Sequence, residues 1–233
     1  MSPFFYHMSS IDSRIALVIT DKETNAQIKS LDLGLLELRV DLFHKLDPDY
    51  IVDQIKRRRL LEKPLLLTVR NQKQEGAPRT FSDELKLQII TVALPLVDMV
   101  DIELSSRLLK QVVAQARKLK KKVIVSSHFL KATPKNLEAV FKKSQKAGGD
   151  FVKIAAKANA FDDVMAMLEF TRRHLKANLI TMSLGPKGTV SRLLFPAAGS
   201  RYTYTFLTKP SAEGQIDVLT LKSHLKLYYS HIE

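Results

Sequence analysis

The sequence predicts an α/β chain of the (βα)8 barrel class, with a single barrel domain over residues 1–233. Three observations carry that expectation. Eight short apolar runs recur at intervals of roughly 20 to 33 residues, the spacing of strand-plus-helix units. Helical patterns fill most of the gaps between them. No Pro/Gly-rich linker or low-complexity stretch breaks the alternation, which favours a closed barrel over an open doubly wound sheet.

The runs, in order, are Arg14–Thr20, Leu35–Asp41, Pro64–Arg70, Val97–Leu104, Lys122–Ser127, Asp150–Ala155, Asn178–Ser183 and Tyr202–Leu207. After the second run, Pro48–Leu60 sets Ile51, Val52 and Ile55 at helical spacing. After the third, Ser82 is placed to cap a helix over Ser82–Leu94, with Leu85 as its first inward residue. Ser105–Lys121, Thr133–Ala147, Ala160–Lys176 and Val218–Ser230 follow the same pattern. Thr133-Pro134 reads as an N-cap followed by proline at the first helical position. The basic runs Lys56-Arg57-Arg58-Arg59 and Lys118-Leu119-Lys120-Lys121-Lys122 end two of these helices, where cations complement the helix dipole from a solvated face.

Composition narrows the function classes. The chain has no cysteine, so disulfides, a thiolate nucleophile and cysteine-ligated metals are excluded, which fits a reducing cytoplasm. Met1–His7 lacks the basic start and apolar core of a signal peptide, and no apolar run approaches the roughly 18 residues of a membrane helix. The net charge of +13 admits nucleic acid, a membrane surface or a small anion as partner. No aromatic stacking motif accompanies the charge, which argues against nucleic acid. No G-x-G-x-x-G follows a strand, and Gly185-Pro186-Lys187-Gly188-Thr189 lacks the helix-opening GK[ST] of a P-loop.

The chemistry centres on Gly148-Gly149-Asp150-Phe151-Val152-Lys153-Ile154-Ala155-Ala156, where a lysine interrupts a buried apolar strand. Burying an ammonium is costly unless it is paired or sheds its proton. The unprotonated amine is a nucleophile that forms imines with carbonyl compounds. Side chains alternate along a strand, so Glu37, Arg39 and Asp41 share one face, as do Asp101 and Glu103. The third strand ends in Arg70, the fifth leads to His128, and the seventh ends at Met182-Ser183. Arg192 falls in the next loop, and Ser211 and Gln215 fall in the loop after the eighth strand. Each has a plain reading alone: a structural ion pair, a loop histidine, an edge-strand lysine whose head reaches water. Together they converge on the C-terminal mouth, where barrel enzymes build their sites, and suit an anionic, carbonyl-bearing small molecule.

These residues resemble the type I 3-dehydroquinate dehydratase family, shikimate-pathway enzymes that make 3-dehydroshikimate. The similar stretches are Glu37–Asp41, Thr68-Val69-Arg70, Asp101–Leu104, Ser127-His128 with Thr133-Pro134, Val152–Ala155, Ser191-Arg192 and Ser211–Gln215. The resemblance implies that Lys153 forms a Schiff base with the ketone of 3-dehydroquinate. It implies that His128 moves the proton and that Arg192 pairs with the carboxylate. Glu37, Arg39 and Arg70 would hold ring hydroxyls, Met182 would supply an apolar wall, and Ser211 and Gln215 would close over the substrate. It implies no cofactor and no metal, the imine being the electron sink. It also implies a homodimer and, in part of the family, fusion to shikimate dehydrogenase.

Three positions depart from the family pattern. Gln74 stands where the family has a glutamate that orients the histidine, and Glu75 follows it. Either Gln74 serves as a neutral partner or the loop shifts by one residue; a carboxylate stabilises an imidazolium, which favours Glu75 as the third catalytic residue. Phe129-Leu130 follows His128 where the family has Asp or Asn and then Phe. Glu213 replaces a proline in the closing loop. Two other readings compete: another lysine-imine barrel of the class I aldolase kind, which lacks the Arg192 and Ser211/Gln215 arrangement, and a basic nucleic-acid-binding protein, which leaves the convergent polar face unexplained.

Overall fold

A computed structural model describes residues 11–71, 76 and 79–229. Strands and helices alternate: β1 Ile15–Ile19, α1 Asn25–Lys29, β2 Leu35–Arg39, α2 Pro48–Arg59, β3 Leu65–Thr68, α3 Asp83–Ala93, β4 Met99–Glu103, α4 Leu109–Lys118, β5 Lys122–Phe129, α5 Leu137–Lys146, β6 Phe151–Lys157, α6 Phe161–Arg173, β7 Leu179–Leu184, α7 Ser191–Ala197, β8 Thr203–Phe206 and α8 Val218–Tyr229. Each strand from β1 to β6 pairs in parallel with the next, and β1 also pairs in parallel with β8. This is the (βα)8 barrel the sequence predicts.

The ring is stitched rather than laddered between β7 and β8. Arg201 N donates across the seam to Leu179 O at 2.8 Å. The Ser200 hydroxyl stands in for a strand residue, accepting from Thr181 N and donating to Tyr202 O, both at 3.0 Å.

Alternation along the strands sorts the interior into layers. Leu35, Leu66, Met99, Ile124, Phe151 and Ile180 fill its lower part with apolar side chains. Two residues further on, the same strands carry Glu37, Thr68, Asp101, Ser126, Lys153 and Met182, all buried. Two further still come Arg39, Arg70, Glu103, His128, Ala155 and Leu184 at the mouth. Residues of opposite parity face outward. Leu36, Leu65, Val100 and Val123 pack on Ile51, Ile55, Ile89 and Val112 of the surrounding helices. Val152, Ile154 and Leu179 pack on Phe141, Met167, Phe170 and Phe195.

Side-chain caps set the helix starts. Asp47 accepts from Tyr50 N ahead of Pro48, Ser82 from Leu85 N as expected, and Asn136 from Ala139 N. The last corrects the Thr133-Pro134 start: α5 begins at Leu137, and the Thr133 hydroxyl instead donates to Lys157 O at 3.0 Å. Helix α4 likewise begins at Leu109, past the expected Ser105. Two short helices, α1 and α7, had no sequence counterpart, so Arg192 lies in the first turn of α7 rather than in a loop. Within the expected solvated run, Arg58 is buried, donating to Asn25 Oδ1 at 2.7 Å and to the carbonyls of Thr20 and Glu23.

Candidate active site

A cleft of about 320 Å³ opens at the C-terminal mouth of the barrel. Glu37, Arg39, Arg70, His128 and Lys153 line it from β2, the end of β3, β5 and β6. Met182, Arg192, Ser211 and Gln215 line it from β7, α7 and the loop after β8. Gln74 and Glu75 lie outside the described residues. Among the described residues, no three His, Cys, Asp or Glu side chains converge as a metal-binding group.

Lys153 sits at the floor, 4% exposed. Its Nζ lies 3.4 Å from Glu37 Oε1, 3.7 Å from Asp101 Oδ2 and 4.0 Å from the centroid of the Tyr204 ring, so two carboxylates and an aromatic face surround the nitrogen. Glu37 is held in turn by the Thr68 hydroxyl at 2.8 Å. Asp101 accepts from Arg70 Nη2 at 2.8 Å and from the Ser126 hydroxyl at 2.7 Å. Burial alone raises the Asp101 carboxyl, yet Arg70 and Lys153, with those hydrogen bonds, outweigh it and hold the group below the usual carboxylate range.

The ionic lattice extends behind the wall. Glu103 takes Arg70 Nη1 at 3.2 Å on one oxygen and buried Lys86 Nζ at 2.5 Å on the other. Asp41, beyond the end of β2, grips Arg39 bidentately at 2.9 and 2.7 Å. This fork fixes the Arg39 guanidinium against the mouth. His128, flanking Lys153 across the β5–β6 ladder, is held well below its ordinary value by burial first, and then by the positive charges of Arg70, Lys153 and Arg39. Its ring is therefore neutral at neutral pH.

Arg192 differs from the other cations. It is 1% exposed, Nη1 meets only Met182 Sδ at 3.1 Å, and Nε and Nη2 have no hydrogen-bond partner. Among the described residues, no carboxylate lies within ion-pairing distance of it. Burial pulls its guanidinium down to about 10, with Tyr204 acting weakly the other way. Glu37, Asp101, Glu103 and Asp41 are each bound to another cation. Arg192 is thus a cation waiting for an anion.

The loop over the cleft is tied to itself and to the rim. Gln215 Oε1 accepts from Ser211 N at 2.7 Å and Ala212 N at 3.2 Å. Glu213 pairs with Lys157 at 3.2 Å, and its carbonyl accepts from Gly185 N at 3.3 Å. Glu213, the departure from the family's proline, gives this loop a charged latch. Sequence reasoning passed over Tyr204 and Lys157, both lining the cleft, and left Asp101 without a role. Parity was the available signal: Tyr204 follows inward-facing Tyr202 by two residues, and Lys157 follows Lys153 by four.

The sequence model of a family described as type I 3-dehydroquinase matches residues 15–232. A 3-dehydroquinate dehydratase from Hydrogenobaculum sp. is 34% identical over 219 residues, covering 92% of this chain and 96% of that protein. The crystal structure of the 3-dehydroquinate dehydratase from Aquifex aeolicus superposes with a TM-score of 0.82 at 30% identity, covering 93% of this chain and 99% of that one. A type I 3-dehydroquinate dehydratase from Clostridium difficile, solved with covalently modified comenic acid, gives a TM-score of 0.84 at 30% identity, covering 93% and 92%.

Proposed function

The chain belongs to the type I 3-dehydroquinase family, and from that premise we propose that it dehydrates 3-dehydroquinate to 3-dehydroshikimate through an imine on Lys153. The observation that carries the reading is the pairing of a buried lysine at the cleft floor with a buried Arg192 that lacks an anionic partner. A ring ketone with a carboxylate on the β-carbon satisfies both. A class I aldolase reading leaves the Arg192 subsite without a purpose.

The Lys153 amine adds to the ketone carbon and, with one proton taken up from solvent, the carbonyl oxygen leaves as water, giving a protonated imine. Glu37 and Asp101 remain close enough to oppose the charge on that nitrogen. The imine draws electrons from the adjacent carbon, so His128, neutral in its cationic surroundings, accepts the proton there. The resulting electron pair expels the β-hydroxyl, and the imidazolium returns the proton to it, releasing water. The charges that keep His128 neutral also make its protonated form a strong acid, which suits the second half of the cycle. Water then hydrolyses the product imine and frees Lys153.

In this reading Arg192 grips the carboxylate, and Met182 supports both that guanidinium and the apolar side of the ring. Glu37, Arg39 and Arg70 hold hydroxyls, while Ser211 and Gln215 cover the ligand. The lack of cysteine fits a reducing cytoplasm.

Borohydride added with 3-dehydroquinate tests the reading. We expect inactivation and a reduced substrate adduct on the peptide containing Lys153, with no adduct and no turnover in Lys153→Ala. Turnover without any adduct, or an adduct on another lysine, overturns the imine assignment.

A further inference from the structure

Tyr204 has no place in the steps above, yet it is built into the cleft. It lies on β8, is 2% exposed and lines the cavity beside Lys153 and Arg192. Its hydroxyl is shut away from solvent and has no hydrogen-bond partner. A buried hydroxyl left unpaired typically costs as much as a lost hydrogen bond, so a site that retains one has a use for it when filled. We propose that the Tyr204 hydroxyl is a second donor to the substrate carboxylate, acting with Arg192 and setting the preference for an acid at that position. The inference rests on the imine reading of Lys153 and deepens it.

Tyr204 stands between the two groups that the substrate has to reach, its ring beside Lys153 and its side chain in the cleft that Arg192 lines. Lys153 Nζ lies 4.0 Å above the Tyr204 ring centroid. A ring carbon joined to that nitrogen lies near the tyrosine ring, and the Tyr204 side chain lines the same cleft as Arg192. Arg192, which lines the same cleft, has two nitrogens without a partner, Nε and Nη2. An arginine and a phenol cannot both be satisfied by a group that only donates. A carboxylate, which has two oxygens and about four lone-pair sites, accepts from both. The phenol also keeps a proton to donate: burial, with Glu37 and Asp101 nearby, pushes its ionisation well above the ordinary tyrosine range.

The test is Tyr204→Phe, which keeps the ring under Lys153 and removes only the oxygen. Hydrogen bonds to charged groups are worth about 1.5–3 kcal/mol, so kcat/KM for 3-dehydroquinate should fall roughly 10- to 150-fold. The analogue carrying hydroxymethyl in place of the carboxylate separates binding from structure. With it, wild type and Tyr204→Phe should differ by less than about threefold, since the charged acceptor is gone. Melting temperature without ligand should hold or rise, because an unpaired buried hydroxyl has been removed. An unchanged kcat/KM for 3-dehydroquinate, or an equal loss on the hydroxymethyl analogue, overturns the proposal. Borohydride trapping on Tyr204→Phe keeps the two readings apart. A normal Lys153 adduct with unchanged kcat/KM defeats only the tyrosine role, whereas an absent adduct in the wild type defeats the imine reading beneath it.

Discussion

Arg192→Met should make the empty protein more stable and the enzyme far worse. A free guanidinium ionises at about 12.5, and here burial brings Arg192 down to about 10. At about 1.4 kcal/mol per pH unit, the gap corresponds to about 3 kcal/mol of unfavourable burial that the empty cleft leaves unanswered. Methionine is unbranched, of similar reach and free of polar atoms, so it can fill the same channel beside Met182. Replacing a buried charge by a packed apolar side chain is often neutral or stabilising by about 1–4 kcal/mol. For a chain of this size each kcal/mol moves the melting temperature by about 2–4 °C. The expected rise without ligand is therefore several degrees at most, part being lost to imperfect packing. The substrate carboxylate supplies the missing partner in the filled site, so kcat/KM should fall by at least tenfold to a hundredfold, read from the ultraviolet absorbance of the conjugated enone. Scanning calorimetry and the enone assay together decide the matter. A melting temperature that drops by several degrees would show that contacts in the empty protein already satisfy the guanidinium. A kcat/KM within threefold of wild type would show that the carboxylate is held elsewhere.

His128→Ala should still form the imine but stall before water is lost. Intact-protein mass spectrometry after borohydride should show the adduct while the rate falls by about two to four decades; turnover within a few-fold of wild type would remove His128 from the role. Because the working form is the neutral base, wild-type kcat/KM should decline as pH falls through the His128 value. Burial and the flanking cations lower that value, so the acid limb should lie well below the ordinary 6.5 or so and vanish in the alanine variant. A limb centred at or above that ordinary value contradicts the electrostatic account. Gly214→Ala should disable the closing loop, because Gly214 has φ of +81° and a Cβ there would meet Gly185 O at 2.6 Å. The left-handed conformation alone costs about 1–2 kcal/mol, so KM should rise about fivefold or more and the melting temperature should fall by a few degrees; an unchanged KM would mean the loop closes independently of that turn.

The barrel was legible because its strands are bounded apolar runs whose spacing leaves room for a helix. The mouth was legible because alternation puts Glu37 and Arg39, or Asp101 and Glu103, on one face before any partner is known. What escaped has identifiable causes. Helix α1 is a single turn, too short for periodicity to register; its capping box of Thr24 and Gln27 was the only signal. Helix α7 is short and carries Pro196 inside it, which reads as a breaker. Arg58 looked like its exposed neighbours because burial there comes from the α1 side, with Asn25 and the Glu23 carbonyl reaching it across 33 and 35 residues of chain. Tyr204 was passed over because a tyrosine in a strand is ordinary core material until its hydroxyl is found without a partner.

The seam closed by Ser200 has a consequence for the unfinished chain. A barrel removes its sheet edges only when the last strand is seated. Before β8 arrives, β1 and β7 are open borders with unpaired main-chain groups, the surfaces on which copies of a chain join into aggregates. β8 meets β1 through a four-residue ladder and reaches β7 through little more than one main-chain bond and one hydroxyl. The same strand brings Tyr204, and the segment after it brings Ser211 and Gln215. A truncated product ending before residue 200 is therefore adhesive and inactive for the same reason, and one late docking event cures both defects.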